Sequence, residues 1–502
     1  MPEVSPLRIM LTLPYLHRFE TDNLPKLTAA LVGAGWYPWF ARFDADALAT
    51  ALDHSFSFVP QVRKLLFPEH CAAPAAVVVS ADAATGARWG DWAVDSFRRR
   101  FTSDDADFAE AAVRLTWMAP TPWLGSRLRA RGSGLPSEVG FSIDWADTLL
   151  LPQGVGVLLL RISVHEQLTV EEAANFVRLI KKRVFRRRLS VGLPQVVHRD
   201  GSEHHLGEFI ELLVKHVQQN DLEGRSLEVA ETFGTNFRYI ALGATEQGPG
   251  GPSFDDFLEQ TAFALATGHP GTSSYDSFSP RGLDELRAHN CIHSWDDWRV
   301  IAYDGSMAFA MRSETDQLQA SAETVWDTVE WSHAVCLALL TAQEVRLHLL
   351  AGRAESTPTE LAPAVAHLED VEREFVRFRR LLWHEEITTT PVGAEVHRLL
   401  RRVMRLTEMS EFVQEEISIV KGRVDNERKA ADARTTSRTA DLVTVLTVVG
   451  VPVGLTLTFG QPLYNAALSD LLGGRAGWAV LLLALQAFVL LVVAAVITRR
   501  RR

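Results

Sequence analysis

The chain has 502 residues, 47% of them hydrophobic and 23% charged, with a formal net charge of −11. That length makes two or three domains, and the acidic balance argues against a nucleic-acid partner while favouring attraction of cations. Its three cysteines, Cys71, Cys291 and Cys336, are too far apart for a disulfide framework or a zinc-ligand set, and they suit a reducing compartment. The opening MPEVSPLRIMLTLPYLHRFE has no basic segment followed by a long apolar core, so it does not read as a signal peptide.

Residues 1–314 read as a mixed α/β or α+β domain. Strands are predicted at 76–81 (AVVVSA), 111–118 (AAVRLTWM) and 155–162 (VGVLLLRI). WRVIAY and SMAFAM, joined by Asp304-Gly305, read as a hairpin, since Asp-Gly suits the positive φ angles of a two-residue turn. A helix is predicted over 170–187, opened by Thr169 with Glu172 three residues on, the spacing of a capping box. Another is predicted near Leu206, carrying FIELLVKHV.

From 315 to 439 the pattern becomes that of long helices. One spans about 315–350 and a second about 360–386, ending where Pro391 removes an amide donor. In the third, Val396, Leu399, Val403, Leu406, Ser410, Val413, Ile417, Val420 and Val424 alternate at three- and four-residue intervals. That heptad seam packs in a bundle or coiled coil. A continuous helix from 395 to 459 would be about 98 Å long, a stalk leading into a membrane.

Residues 440–502 read as a two-span transmembrane region. The runs 440–459 and 476–498 are almost free of charge and, as helices, reach roughly 30 and 35 Å, enough to cross a bilayer core. The basic tail Arg499 to Arg502 places the C-terminus in the cytoplasm, and two spans place the N-terminal mass there too. Phe459-Gly460-Gln461-Pro462 then reads as a turn leading to a short external loop at about 465–475. The implied location is an inner or plasma membrane, multi-pass, with both termini cytoplasmic.

On the first span, Asp441 stands at the cytoplasmic entrance, and Thr444, Thr447, Val451, Gly454, Thr458 and Gln461 fall along one stripe. Two readings fit. The threonine hydroxyls bond back to their own helix and the small residues support close helix packing. Alternatively, several copies line an axial pore in which hydroxyl oxygens replace part of an ion's water shell.

This layout resembles the CorA family of divalent-cation channels: an α/β cytoplasmic domain, long helices, a first span, a short loop, a second span and a basic tail. The resemblance implies a homopentamer whose first spans line the pore, with Mg²⁺ or another divalent cation as the transported or regulatory ion and no other cofactor. The family carries an aromatic residue followed by Gly-Met-Asn at the external mouth. Here Phe459 and Gly460 match, but Gln461 stands for methionine and Pro462 for asparagine, so the side-chain amide is lost. Members without the signature act as effectors gated by nucleotide-like signals. A ligand-gated effector, or a membrane-anchored sensor or scaffold, is therefore the alternative, with a small-molecule or nucleotide regulator.

Enzyme chemistry finds little support. His204, His205 and Glu208, placed at a helix start, lack a third ligand. His165-Glu166 and His384-Glu385 lack the second histidine of a zinc hydrolase. Gly154-Val155-Gly156 lacks the third glycine of a dinucleotide fingerprint. Cys291 with His293 has no third partner, and Asp144 with Asp147 reads as ordinary surface carboxylates. The stretch Lys181 to Arg188 suits a phosphate or a solvated helix end, and Trp295 to Val300 suits a ligand cleft or a half-buried sheet edge. No catalytic residue and no metal ligand is assigned.

Overall fold

The computed structural model describes residues 3–16, 36–38, 57–66, 113–117, 126–129, 139–151, 154–181, 195–197, 203–205, 228–229, 238–246, 254–269, 279–293, 295–313, 315–358, 360–469 and 488. The predicted strand at 76–81, the FIELLVKHV helix, the basic stretch beyond Lys181 and all of the second span except Phe488 lie outside them.

A mixed α/β domain is followed by long helices. Its principal strands are β1 (Glu3–Leu16), β5 (Val139–Leu151), β6 (Val155–Val164), β11 (Arg238–Glu246), β13 (Trp298–Tyr303) and β14 (Ser306–Arg312). Shorter strands are β2 (Trp36–Pro38), β3 (Val113–Trp117), β4 (Ser126–Arg129), β7 (Leu168–Thr169), β8 (Gln195–Val197), β9 (Glu203–His205), β10 (Glu228–Val229) and β12 (Cys291–Ile292). They form one sheet in the order β12-β13-β14-β11-β1-β6-β5-β4-β8-β9, with β7 and β10 on β1 and with β2 and β3 branching from β5. The β11–β14 pairing is parallel and the other described pairings are antiparallel.

The predicted hairpin forms as β13 and β14, with Asp304 at φ 50° and Gly305 at φ 69°. A Cβ on Gly305 would displace the movable end of the Arg238 side chain, so the positive φ is the main reason for glycine there. Gly156 has a packing reason, because a Cβ there would overlap the Tyr15 ring on the neighbouring strand. His204 and His205 lie on strand β9, correcting the predicted helix start.

The sheet is covered on both faces. Leu7, Ile9, Leu11 and Leu13 of β1 join Leu158, Leu160 and Ile162 of β6 in one core. Helices α2 (Val170–Lys181) and α3 (Phe254–Thr267) supply Phe176, Leu258, Phe263 and Leu265 to that core, following α1 (Pro60–Leu66) in the chain. The capping box forms: the Glu172 amide donates to the Thr169 hydroxyl (3.2 Å), and the Thr169 amide donates to the Glu172 carboxylate (2.8 Å).

After α4 (Pro280–Asn290), the other face receives a continuous run of α5 (Asp316–Thr328), a π-helical turn (Val329–His333) and α6 (Ala334–Glu355). This 40-residue run is long and apolar enough to cross a membrane by length and composition, yet 78% of its most apolar stretch is buried. Its α6 part packs on β6, β1 and β11 and against α8 (Pro391–Val403), and a helix covered on most sides is apolar on most sides for that reason, whereas α5 buries only Ala322 and Trp326. Helix α7 (Leu361–Leu381) is tied to α6 by Arg346–Glu374 and Arg353–Asp370, both at 2.6 Å.

Helix α9 (Leu406–Ser469) has 64 residues and is about 96 Å long. It does not start at 395, because Met404 and Arg405 separate it from α8, with Arg405 at φ 53°. Nor does Phe459–Pro462 turn: the backbone stays helical through both Pro452 and Pro462 to Ser469. Each proline accepts a helical φ and removes only one amide donor, which neighbouring turns can tolerate. The heptad seam is buried at Val396, Leu399, Leu406, Ser410, Val413, Ile417 and Val424. By contact the chain divides into two units, 1–356 with 369–417, and 357–368 with 418–502.

Arg114 and Asp147 form a fully buried pair, with Nε to Oδ2 at 2.8 Å. Asp147→Ala would remove the carboxylate that this buried guanidinium pairs with and should cost about 3–5 kcal/mol. A lower melting temperature for D147A, with most of the loss recovered in an R114L/D147L double variant, is the expected outcome of thermal unfolding. His397 is buried on α8, and its Nε2 has no hydrogen-bond partner among the described residues. Burial, then the charges of Arg401, His384 and Arg398, depress its pKa from 6.5 to about 4. The unfolded chain therefore binds the proton first, so stability should fall as pH drops from about 6.5 towards about 4. Melting curves of His397→Gln across that window should show a flatter dependence than the parent.

Candidate functional site

Three arginines stand on one face of three adjacent strands, and each meets a glutamate of the apolar helical run. Arg8 of β1 pairs with Glu323 (2.6 Å), Arg161 of β6 with Glu330 (2.6 Å), and Arg238 of β11 with Glu344 (2.7 Å). Between the first two lies Trp326, 1% exposed, with both guanidinium carbons 5.6 Å from its ring. Such placement combines charge pairing with cation–π contact over a buried indole, with Glu323 open to solvent and Glu330 buried. Glu330 sits in the π-helical turn, a local widening that often marks a functional position. Asp144 completes the network, accepting from Ser142 and Ser163 (2.6 Å each) and pairing with Arg161 (3.0 Å). Neither Asp144 nor the buried Asp147 is the unpaired surface carboxylate that their spacing suggested.

Beside this network is an open cleft of ≈ 430 Å³ between the start of β13, the end of β14 and α5. Its walls include the apolar Trp298, Met311, Leu318 and Val325. At its margin are Trp295, Asp296, Asp297 and Arg312. Trp295 stacks on Trp298 with ring centres 4.3 Å apart and planes at 14°, yet it remains 37% exposed. Arg299 fixes the bend, donating to the carbonyls of Trp295 and, at 3.0 Å, of Trp298. Ring contacts continue inward through Phe309 to His333 of the π-helical turn. The segment thus borders an open cleft at the start of a strand near the sheet edge, with Trp298 buried and Trp295 exposed.

The residues of the threonine stripe that the sequence singles out lie on α9. Asp441, Thr444 and Thr447 are exposed, and the two hydroxyls donate to the carbonyls of Ala440 and Val443 (2.7 Å each). Those hydrogens are therefore used within the helix, while each oxygen keeps acceptor capacity. Val451, Gly454, Thr458, Phe459, Gly460, Gln461 and Pro462 belong to the same helical backbone. From Asp425 to Thr447 every described side chain except that of Ala431 is exposed, including Leu442 (63%), Val443 (58%) and Leu446 (68%).

Among the described residues no group of His, Cys, Asp or Glu is arranged to hold a metal ion. Cys291 Sγ approaches His293 Nδ1 at 3.8 Å, but burial, aided by Glu259, pushes the thiol up to about 12. A thiol held protonated is a poor nucleophile. Alkylation of Cys291 by iodoacetamide at pH 8 should be at least about 100-fold slower in the folded protein than in the unfolded chain. Quantitative peptide mass spectrometry reads that ratio, and similar rates would contradict it.

The sequence reading missed the arginine rungs, although it had a signal for them. A lone arginine interrupts apolar strand residues in LRIML, LLLRI and FRYIA, and a lone glutamate interrupts VEWSHAVCLALL. A single charge in such a run must be paired if the run is buried. Compared with known proteins, the chain matches no family model, no curated protein and no solved structure.

Proposed function

We propose that this chain forms a CorA-like homo-oligomeric channel, by resemblance a pentamer, that passes divalent cations across a cell membrane and is gated through its N-terminal α/β domain. The observation that carries the reading is α9. Over residues 425–447 this helix stands exposed, and it leads into the apolar run of 440–459 with Leu442, Val443 and Leu446 uncovered. A lone helix with exposed apolar side chains gains stability from lipid or from other copies. A ring of copies would place Asp441 at the cytoplasmic entrance, where carboxylates concentrate cations.

Deeper in, the acceptor oxygens of Thr444 and Thr447 would meet the ion's hydration shell, Gly454 would leave room, and Val451 would close the path by dewetting. Thr458 and the Phe459–Pro462 segment would form the outer mouth. Pro462 cannot supply the amide oxygen of the family's asparagine, so magnesium is the first ion to test rather than the assigned one.

The exposed Trp295 cleft favours a second reading, a ligand-gated membrane effector that conducts only when a small-molecule signal is bound. Flux of Mg²⁺, Ni²⁺, Co²⁺ and K⁺ into liposomes holding the purified protein tests both. Conduction should occur for at least one divalent ion, and Thr447→Leu and Asp441→Asn should each lower it severalfold. Flux seen only with a signal molecule would favour the effector, whereas none under any condition would favour a membrane-anchored sensor or scaffold.

A further inference from the structure

We infer that the cleft at the start of β13 is a binding site for a small organic cation, an amine or guanidinium carried on a flat or apolar body. Its volume, ≈ 430 Å³, lies in the range of small-ligand sites, and its apolar walls suit the body of such a molecule. The exposed, stacked Trp295 offers an indole to a positive group, and tryptophan is the aromatic side chain that attracts cations most strongly.

Charge at the margin selects the sign of the ligand. Two carboxylates, Asp296 and Asp297, face one guanidinium, Arg312. Arg312 is already committed to Asp297, with Nη1 3.6 Å from Oδ1 and the backbone amide of Arg312 donating to the Asp297 carbonyl at 3.0 Å. Asp296 has no ion-pair partner among the described residues and is exposed. Arg299 is buried beneath the same turn, its guanidinium turned to the Trp295 and Trp298 carbonyls, so the carboxylate presented at the exposed margin beside the indole is that of Asp296, which favours a cation over an anion. The site also has a route inward. Its wall includes α5 through Leu318 and Val325, and the stacked rings lead through Phe309 to His333 in the π-helical turn. Regulatory use of the site rests on the gated reading above; binding itself does not, and it is measured without any flux.

Calorimetric titration of the full chain in an uncharged detergent tests the site with three probes of one shape: tryptamine (cationic), tryptophol (neutral) and indole-3-acetate (anionic). Tryptamine should bind about tenfold tighter than either of the others. Asp296→Asn should remove most of that preference while leaving tryptophol affinity within about twofold. Trp295→Ala should weaken tryptamine and tryptophol together, by about fivefold or more. Indole-3-acetate or adenosine monophosphate binding as tightly as tryptamine would overturn the charge assignment. Unchanged tryptamine affinity in both D296N and W295A would overturn the site.

Discussion

The fold depends on three arginines inside a sheet face. Arg8, Arg161 and Arg238 project from neighbouring strands toward the helical run of α5 and α6, where they are largely buried and an unpaired charge would be costly. Glu323, Glu330 and Glu344 answer them, spaced by seven residues and then twice seven. The pairing therefore fixes which face of the helix meets the sheet and how far along it the helix sits. It also explains a composition that would suit a membrane. The α6 part of the run is apolar because sheet and helices enclose it, and Glu344 there and Glu330 in the π-helical turn are acids that the sheet arginines pair with.

The long helix obeys the opposite logic. Its first turns bury a heptad seam, as expected of an element that has found its partners. From Asp425 to Thr447 its described side chains are exposed except that of Ala431, and its threonines at 435, 436, 439, 444 and 447 all donate to carbonyls of their own helix. A single chain thus leaves Leu442, Val443 and Leu446 uncovered. The physical deficit lies there, and lipid together with other copies of the chain would supply what is missing. The Trp295 cleft lies in the α/β domain, beside the helical run that the arginines hold, so an occupied cleft would act on an element that is already in strict register.

What could be read from the sequence followed local chemistry. The Asp304-Gly305 hairpin and the Thr169–Glu172 capping box formed because each is specified by a few neighbouring residues. The heptad seam was legible because periodicity survives a break: it stays in phase across the Met404–Arg405 interruption. The central strand β1 was not recognised, since Pro6, Arg8 and Pro14 disguise it, and its ten-residue ladder with β6 exists only through tertiary pairing. Phe459–Pro462 was misread for a related reason. A Gly and a Pro close together signal a turn, but neither forbids a helix whose remaining hydrogen bonds are intact. Asp144 and Asp147 could not be understood without Arg161 and Arg114, which are distant in the chain or lie on another strand.

The central claim is that copies of α9 surround a water-filled axis with Thr444 and Thr447 facing it. Structure determination of the protein in lipid nanodiscs, with the pore profile measured along α9, tests this most directly. The account predicts a closed ring of subunits with the Thr447 hydroxyl oxygens lining the axis and Asp441 at its cytoplasmic end. A monomer, or an oligomer in which Thr447 faces lipid and the axis is filled by packed side chains, would contradict it.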